Sequence, residues 1–449
     1  MFRIVPVSVC ALVIAVAACS DSSPTQPSEQ EAARHQLARE VRALAAARGV
    51  VPLPPAPQIR PELVSLGRAL AFDKIISGNH DVSCMTCHLP SFATGDGRSL
   101  AVGAGGTGLG PARTVPSQGF VPRNTPPLFN LFGSRALFWD GRVEVDEAGN
   151  FHTPAGAQLT PAMRRVLEFG PVSAQPLFPP TAAAEMRGFS GNELAEMPAD
   201  DLTGIWNGIM KRLGSIPRYR QMFEAAYPGT RFDDMNFAYA TNAIAAFMID
   251  QLTFDDTPWD RFLSGDDDAL TPAQLAGAKD FLTLKCSICH NGATFSDGQF
   301  HDVALAQFGP GEGDGPSGHD DFGRMRVTGL LSDKYRFRTT PLRNVELTAP
   351  YGHAGEFATL RSFIAHYSNS DTELLDYDLL QLEPALQNTL VDNTADVIAQ
   401  RDTLLNGVVI PDSVVDHLVA YMSALTDPRA RNLSAIVPQS VPSGLPVDR

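Results

Sequence analysis

At 449 residues with 44% hydrophobic side chains, the chain is long enough for two or three cores and too apolar to be disordered. Its 35 Lys and Arg against 50 Asp and Glu leave a net charge of −15, which argues against nucleic acid as a partner. The 37 Gly and 35 Pro require that much of the length be loop.

The first segment is an export signal. Arg3 precedes an apolar run from Ile4 to Ala18 that is too short for a membrane span. It ends in Val16-Ala17-Ala18-Cys19, the pattern of a bacterial lipoprotein cleavage box, where small residues let the chain enter a narrow peptidase site. Cys19 would become the lipid-bearing N-terminus, and Ser20 to Ser28 a polar tether. An ordinary signal peptide cut nearby is the alternative. Either way the protein leaves the cytoplasm, and periplasmic localisation with a lipid anchor through Cys19 is the expectation.

Next, residues 29–48 carry Leu37, Val41 and Leu44 at helical spacing. Val50 to Pro61 holds five prolines and reads as extended. Pro61 then opens a helix with Leu63, Leu66 and Leu70 on one face, leading to a first cysteine pair. From Ala93 to Thr125 glycine and proline dominate, the length of a functional wall or lid. Residues 140–200 are polar and proline-rich, and helices resume at 201–226 and 235–252. An acidic, turn-rich hinge (Asp255 to Asp268) precedes a helix opened by Thr271-Pro272, which feeds a second cysteine pair. A last amphipathic helix spans roughly 411–426, with Val415, Leu418, Val419 and Met422 on one face. Alternating strand patterns are few. The chain therefore reads as mainly α, in two halves, each with a helix feeding one cysteine pair, with long irregular loops between.

Of the six cysteines, Cys10 lies in the apolar run and Cys19 in the cleavage box. The remaining four form Cys84-Met85-Thr86-Cys87-His88 and Cys286-Ser287-Ile288-Cys289-His290, leaving none for a disulfide. Within one helical turn, Cys-x-x-Cys-His lets two thiols form thioethers with one haem while the adjacent histidine meets the iron. Zinc would need further Cys or His ligands at matching spacing, and a redox dithiol does not call for the histidine, twice. Two covalently bound haem c groups are expected, and the expected fold class is mainly α: two cytochrome c-like domains, each holding one covalently bound haem, with long irregular loops. The sixth coordination position separates an electron carrier from a peroxidase, and the ten histidines (His35, His80, His88, His152, His290, His301, His319, His353, His366 and His417) do not assign it by sequence alone.

Around both motifs, from about Leu66 to Thr426, the chain resembles the bacterial dihaem cytochrome c peroxidase family, including its MauG branch. The landmarks are Leu66-Gly67-Arg68-Ala69-Leu70-Ala71-Phe72-Asp73, Pro122-Arg123-Asn124-Thr125-Pro126, Phe138-Trp139-Asp140-Gly141-Arg142, Gly170-Pro171-Val172 with Glu185-Met186, Phe300-His301-Asp302-Val303, and the run from Leu342 to Tyr351. The resemblance implies that His88 is the proximal ligand of a peroxide-reacting N-terminal haem. It places Glu185 over that haem as general acid–base and Trp139 between the haems as a relay. Asn124, Thr348 and Pro350 match positions that hold a calcium ion, offering the oxygen ligands calcium prefers. His290 would be the proximal ligand of the electron-donating C-terminal haem. Its other ligand would lie fourteen residues beyond His353, at Tyr367, where peroxidases of the family carry Met and MauG-type enzymes Tyr. His366 or Met325 is the alternative ligand. Two departures stand out. The family's glutamine before Gly-Pro falls on Leu167, and no histidine occurs between Leu89 and Arg123, where many members carry a distal one.

The implied activity is reduction of hydrogen peroxide to water, with electrons from a small redox protein (a c-type cytochrome or a cupredoxin) passed through the C-terminal haem. A MauG-like oxidase acting on a protein or organic substrate is the alternative, and a non-catalytic dihaem electron carrier a second one. The resemblance allows a homodimer, although no segment reads as an interface. The expected organisation is a lipoprotein signal peptide (1–19), a tether and N-terminal helix (20–57), an N-terminal peroxidatic haem domain (58–254), a C-terminal electron-transfer haem domain (255–430) and a tail (431–449).

Overall fold

The computed structural model describes residues 1–2 and 29–449. Cys10, Cys19, the cleavage box and the tether lie outside the described residues. Among the described residues no helix is long and apolar enough to cross a membrane.

The same construction occurs in each half. A helix carrying a mid-helix glycine crosses a second helix, and the chain then enters a one-turn cysteine helix. In the first half, helix Pro61–Phe72 buries Leu63, Leu66 and Leu70 against helix Phe237–Gln251, which is buried nearly all round. Gly67 sits at the crossing, where a Cβ would stand 1.7 Å from the Ala243 carbonyl oxygen. In the second half, helix Pro272–Thr283 crosses helix Asp412–Ala424, and a Cβ on Gly277 would stand 1.9 Å from the His417 carbonyl oxygen. Neither backbone oxygen has room to yield. G67A and G277A are therefore expected to force the helices apart, at a cost of about 1–3 kcal/mol or more. A fall in the thermal midpoint of each variant checks this, and an unchanged midpoint counts against the close crossing.

Local signals explain the helix limits. Proline stands at the first turn of Pro61–Phe72, Pro217–Ala226, Pro258–Leu263 and Pro272–Thr283, where its missing N–H costs nothing. Thr271 and Gln274 form a capping box at the last of these. The helix expected over 201–226 is two, Leu202–Gly214 and Pro217–Ala226, because Pro217 cannot continue the first. The acidic segment read as a hinge also folds: helix Pro258–Leu263 buries Trp259 and Phe262 in the second core. Charge and turn residues concealed these two aromatic anchors.

The few strands are short. Ala136–Leu137, Val143–Val145 and Phe151–His152 form an antiparallel sheet, and Phe300–His301 pairs with Phe337–Arg338, Phe300 opposite Arg338. The first hairpin opens the stretch 144–184, whose later residues Gln175, Pro176, Pro179 and Pro180 wall a cavity.

Both termini pack on the half more distant in sequence. Helix Glu29–Ala47 buries Ala38, Val41 and Ala45 among Trp259, Phe262 and Leu275 of the second half. The tail beyond residue 430 buries Leu433, Ile436 and Val441 in the first core. Its Asp448 accepts from Thr86 Oγ1 at 2.5 Å and pairs with Lys74 at 2.7 Å, while Ser443 Oγ donates to Asp73 at 2.6 Å. The chain ends thus cross over and tie the halves together. A buried charge cluster does the same at the centre: Arg123 pairs with Asp140 of its own half (2.7 Å) and Asp321 of the other (2.6 Å).

Candidate active site

Each cysteine turn opens on a cavity. The first is lined by Cys84, Cys87 and His88, with Pro126, Leu128 and Ile244 among its apolar walls. The second is lined by Cys286, Cys289 and His290, with Val303, Leu360, Ile364 and Met422. The two histidines are held alike. Nδ1 of His88 lies 2.9 Å from the Thr94 carbonyl and Nδ1 of His290 lies 3.0 Å from that of Phe295. Donating from Nδ1 leaves Nε2 as the lone-pair nitrogen, the form a metal ligand needs. Burial lowers both rings' proton affinity, that of His88 to about 4, so they stay neutral. Burial also pushes the Cys84 thiol up to about 12 and that of Cys286 up to about 11, the reverse of what a reactive dithiol requires. Two thiols and one imidazole facing each large apolar cavity fit a thioether-bound haem.

The cavities share a wall. Asn124, Pro127, Trp139 and Arg338 line both. The Trp139 indole N–H donates to the Asn124 carbonyl at 2.9 Å, which sets the ring's orientation. Asn124 in turn donates from Nδ2 to the carbonyls of Arg98 (2.8 Å) and Ser99 (3.1 Å). Thr348 and Pro350 line the second cavity beside Asn124, so the three oxygen-bearing residues singled out for calcium converge on one region.

Glu185 lines the first cavity, on a five-residue π-helical turn, Ala183–Arg187. That turn is pinned from two sides: Ala104 N–H donates to the Ala184 carbonyl (3.1 Å) and Gly78 N–H to that of Met186 (2.7 Å). Gly103 is required there, since a Cβ would stand 2.1 Å from the Ala184 oxygen. Burial raises the Glu185 carboxyl above the ordinary range, with Arg142 opposing and Glu312 reinforcing. His88 is the one histidine in this lining.

Three residues of this cavity were invisible in the sequence. Glu312, on a glycine-rich loop of the second half, is a second carboxyl there, raised by burial and lying 3.5 Å from Arg123 and from Arg326. Gln175 supplies an amide to the lining, whereas Leu167 is buried in the core. Arg338 arrives from the strand across the wall. Only the charge pattern of the 309–321 loop could have hinted at Glu312.

In the second cavity Tyr367 is part of the lining and His366 and Met325 are not. His366 instead places Nε2 2.7 Å from the Val303 carbonyl. His301 and His353 also line it. His301 lies between Asp402 (2.7 Å) and Asp297 (3.0 Å); burial opposes its charge, yet bonds to Asp297, Cys289 and Asp402 raise it to about 10. His353 Nδ1 sits 2.7 Å from Glu356 and its ring stacks on Phe337 at 3.7 Å.

Fold and cavities together define a protein with two Cys-x-x-Cys-His cavities that share a wall containing one indole. The family described as di-haem cytochrome c peroxidase matches over residues 61–268. The chain is 33% identical to the cytochrome c551 peroxidase of Pseudomonas aeruginosa over 68% of this chain and 71% of that one. It is 30% identical to the methylamine utilization protein MauG of Methylorubrum extorquens over 71% of each. A solved MauG-like protein associated with microbial copper homeostasis shares the fold with TM-score 0.60 and 25% identity, over 85% of this chain and 95% of that one. The chain belongs to the dihaem cytochrome c peroxidase family, whose members include MauG-like proteins. It is an oxidoreductase acting on peroxide, and its cofactors are two haem c groups.

Proposed function

We propose that this protein reduces hydrogen peroxide to water at the first cavity, using electrons that a small redox protein delivers through the second. The observation that carries this is the pairing of Glu185, raised by burial, with His88 in a cavity lined by no second histidine, across Trp139 from the other centre. Cys84, Cys87 and His88 would hold one haem and Cys286, Cys289 and His290 the other, each haem supplying an iron that exchanges electrons one at a time. Overall, peroxide takes up two electrons and two protons to give two waters.

In this reading the protein's own groups handle the protons. Glu185 takes the proton from one peroxide oxygen and returns it to the other, for which a carboxyl with a raised pKa is suited. Glu312, partly exposed, shares this cavity and bears on Glu185 through its like charge. E312Q removes the like charge that raises Glu185. The acid limb of the pH–rate profile is then expected to move to lower pH, because Glu185 ionises more readily. Stopped-flow rates with peroxide across pH check this, and an unmoved limb counts against the coupling.

Tyr367 would be a further protein ligand to the iron of the C-terminal haem, and Asn124, Thr348 and Pro350 would hold a calcium ion. Export to the periplasm with a lipid anchor at Cys19 completes the reading. Turnover of H2O2 with a reduced small cytochrome tests it: sustained peroxide-dependent oxidation supports peroxidase action. Tyr367 favours a second reading, a MauG-like oxidase whose substrate is a protein or organic molecule. That reading predicts rapid reaction with peroxide but slow oxidation of the cytochrome. Two six-coordinate irons in magnetic resonance spectra would overturn both.

A further inference from the structure

Five arginines are buried among the described residues: Arg98, Arg113, Arg123, Arg338 and Arg343. Four have a carboxylate partner or several carbonyl partners within the protein. Arg123 pairs with Asp140 and Asp321, Arg343 with Asp260, and Arg98 with Glu383. Arg113 donates to the carbonyls of Val102, Gly103 and Gly108. Arg338 differs. Its one side-chain hydrogen bond among the described residues runs from Nε to the Phe138 carbonyl at 3.2 Å. Burial alone pushes the guanidinium down, to about 10, with no carboxylate acting on it. At neutral pH it still carries its charge.

Its position is the second observation. Arg338 lines both cavities, in the wall it shares with Trp139. Its main-chain N–H donates to the Trp139 carbonyl at 2.8 Å, so backbone and side chain together hold the consecutive carbonyls of Phe138 and Trp139. Phe138 there has φ of +64°, which a bulky residue adopts only when its surroundings impose it.

A buried cation without a protein anion draws one from elsewhere. The groups that the two cavities would take bring such anions, since each haem carries two propionate carboxylates. We propose that Arg338 is the shared counter-ion of the two haems, its free guanidinium nitrogens binding propionate oxygens in the wall between the centres. It is a positioning residue, acting on electron affinity through the haem carboxylates while holding the Trp139 backbone. This rests on both cavities holding haem. A fixed cation favours the electron-rich state, so one side chain raises both reduction potentials together.

The test uses holoprotein of R338Q and R338K. Pyridine haemochrome assay of each preparation counts haems, spectroelectrochemistry gives both midpoint potentials, and resonance Raman reads the propionate bending bands. R338Q with two haems is expected to lower both potentials by a tenfold change in the one-electron equilibrium, about 59 mV, with shifted propionate bands. R338K, which keeps the charge but loses the planar fork, is expected to restore most of both potentials while its propionate bands stay shifted. If either potential of two-haem R338Q equals that of wild type, the shared role is overturned. If R338Q does not load haem, unshifted propionate bands in R338K overturn it instead. Fewer than two haems in wild type sinks the haem reading itself, not the role of Arg338.

Discussion

Replacing Glu185 by Gln slows the reaction of the protein with peroxide by ~10²–10⁴-fold, the usual contribution of a positioned acid–base group. Glutamine keeps the size of the side chain and the pinned turn around it, so the haem spectrum in the absence of peroxide is expected to stay the same. What is lost is the ionisable oxygen. The wild-type pH profile carries the signature. Burial raises the Glu185 carboxyl, so its base form is depleted at a higher pH than an exposed glutamate's would be. The rate therefore falls, as pH is lowered, from above the ordinary glutamate range, and E185Q flattens that limb. Rapid-mixing spectroscopy over pH measures both. A wild-type rate in E185Q removes the residue from the chemistry.

The second large effect is expected at Tyr367. If Tyr367 binds the C-terminal haem iron as a phenolate, as proposed, changing it to Met puts a neutral thioether in its place, which no longer stabilises the ferric state, so the potential of that haem is expected to rise. The low-spin spectrum of that haem changes with it. Of the candidates weighed from sequence, Tyr367 alone lines the cavity, at the end of helix Leu360–His366, while the neighbouring His366 turns its Nε2 to a backbone carbonyl. Cytochrome oxidation is the functional readout: a higher potential brings the centre nearer to that of a donor protein and speeds turnover if peroxidase action is limited there. If Y367M and Y367F both leave the low-spin spectrum unchanged, Tyr367 is a packing aromatic and the ligand lies elsewhere.

What the sequence by itself determined is whatever lies within a few residues along the chain. Cys84 to His88 and Cys286 to His290 are complete chemical units of one helical turn, so their meaning needs no partner. The starts of helices Pro61–Phe72 and Pro272–Thr283, and both ends of Phe237–Gln251 and Asp412–Ala424, were legible to within two residues or so because apolar period and caps are local. Glu185, Trp139 and Tyr367 were legible through resemblance, not through their own physics. Where local signals competed they misled: a two-residue break at Pro217 went unseen, and acidic turns hid the helix of Trp259 and Phe262.

Only the tertiary structure decided which residues meet. Arg338 and Trp139 share a wall though about 200 positions separate them, and Glu312 reaches a cavity built by the other half. Each sits on a short strand, a turn or a glycine-rich loop, segments with no periodicity from which burial could be inferred. The crossing of the termini, with Ala38 in the second core and Asp448 beneath the first cysteine turn, has the same origin. A contact between distant segments is chosen by the balance of all the packing around it, and that balance is a property of the folded chain rather than of any stretch of it.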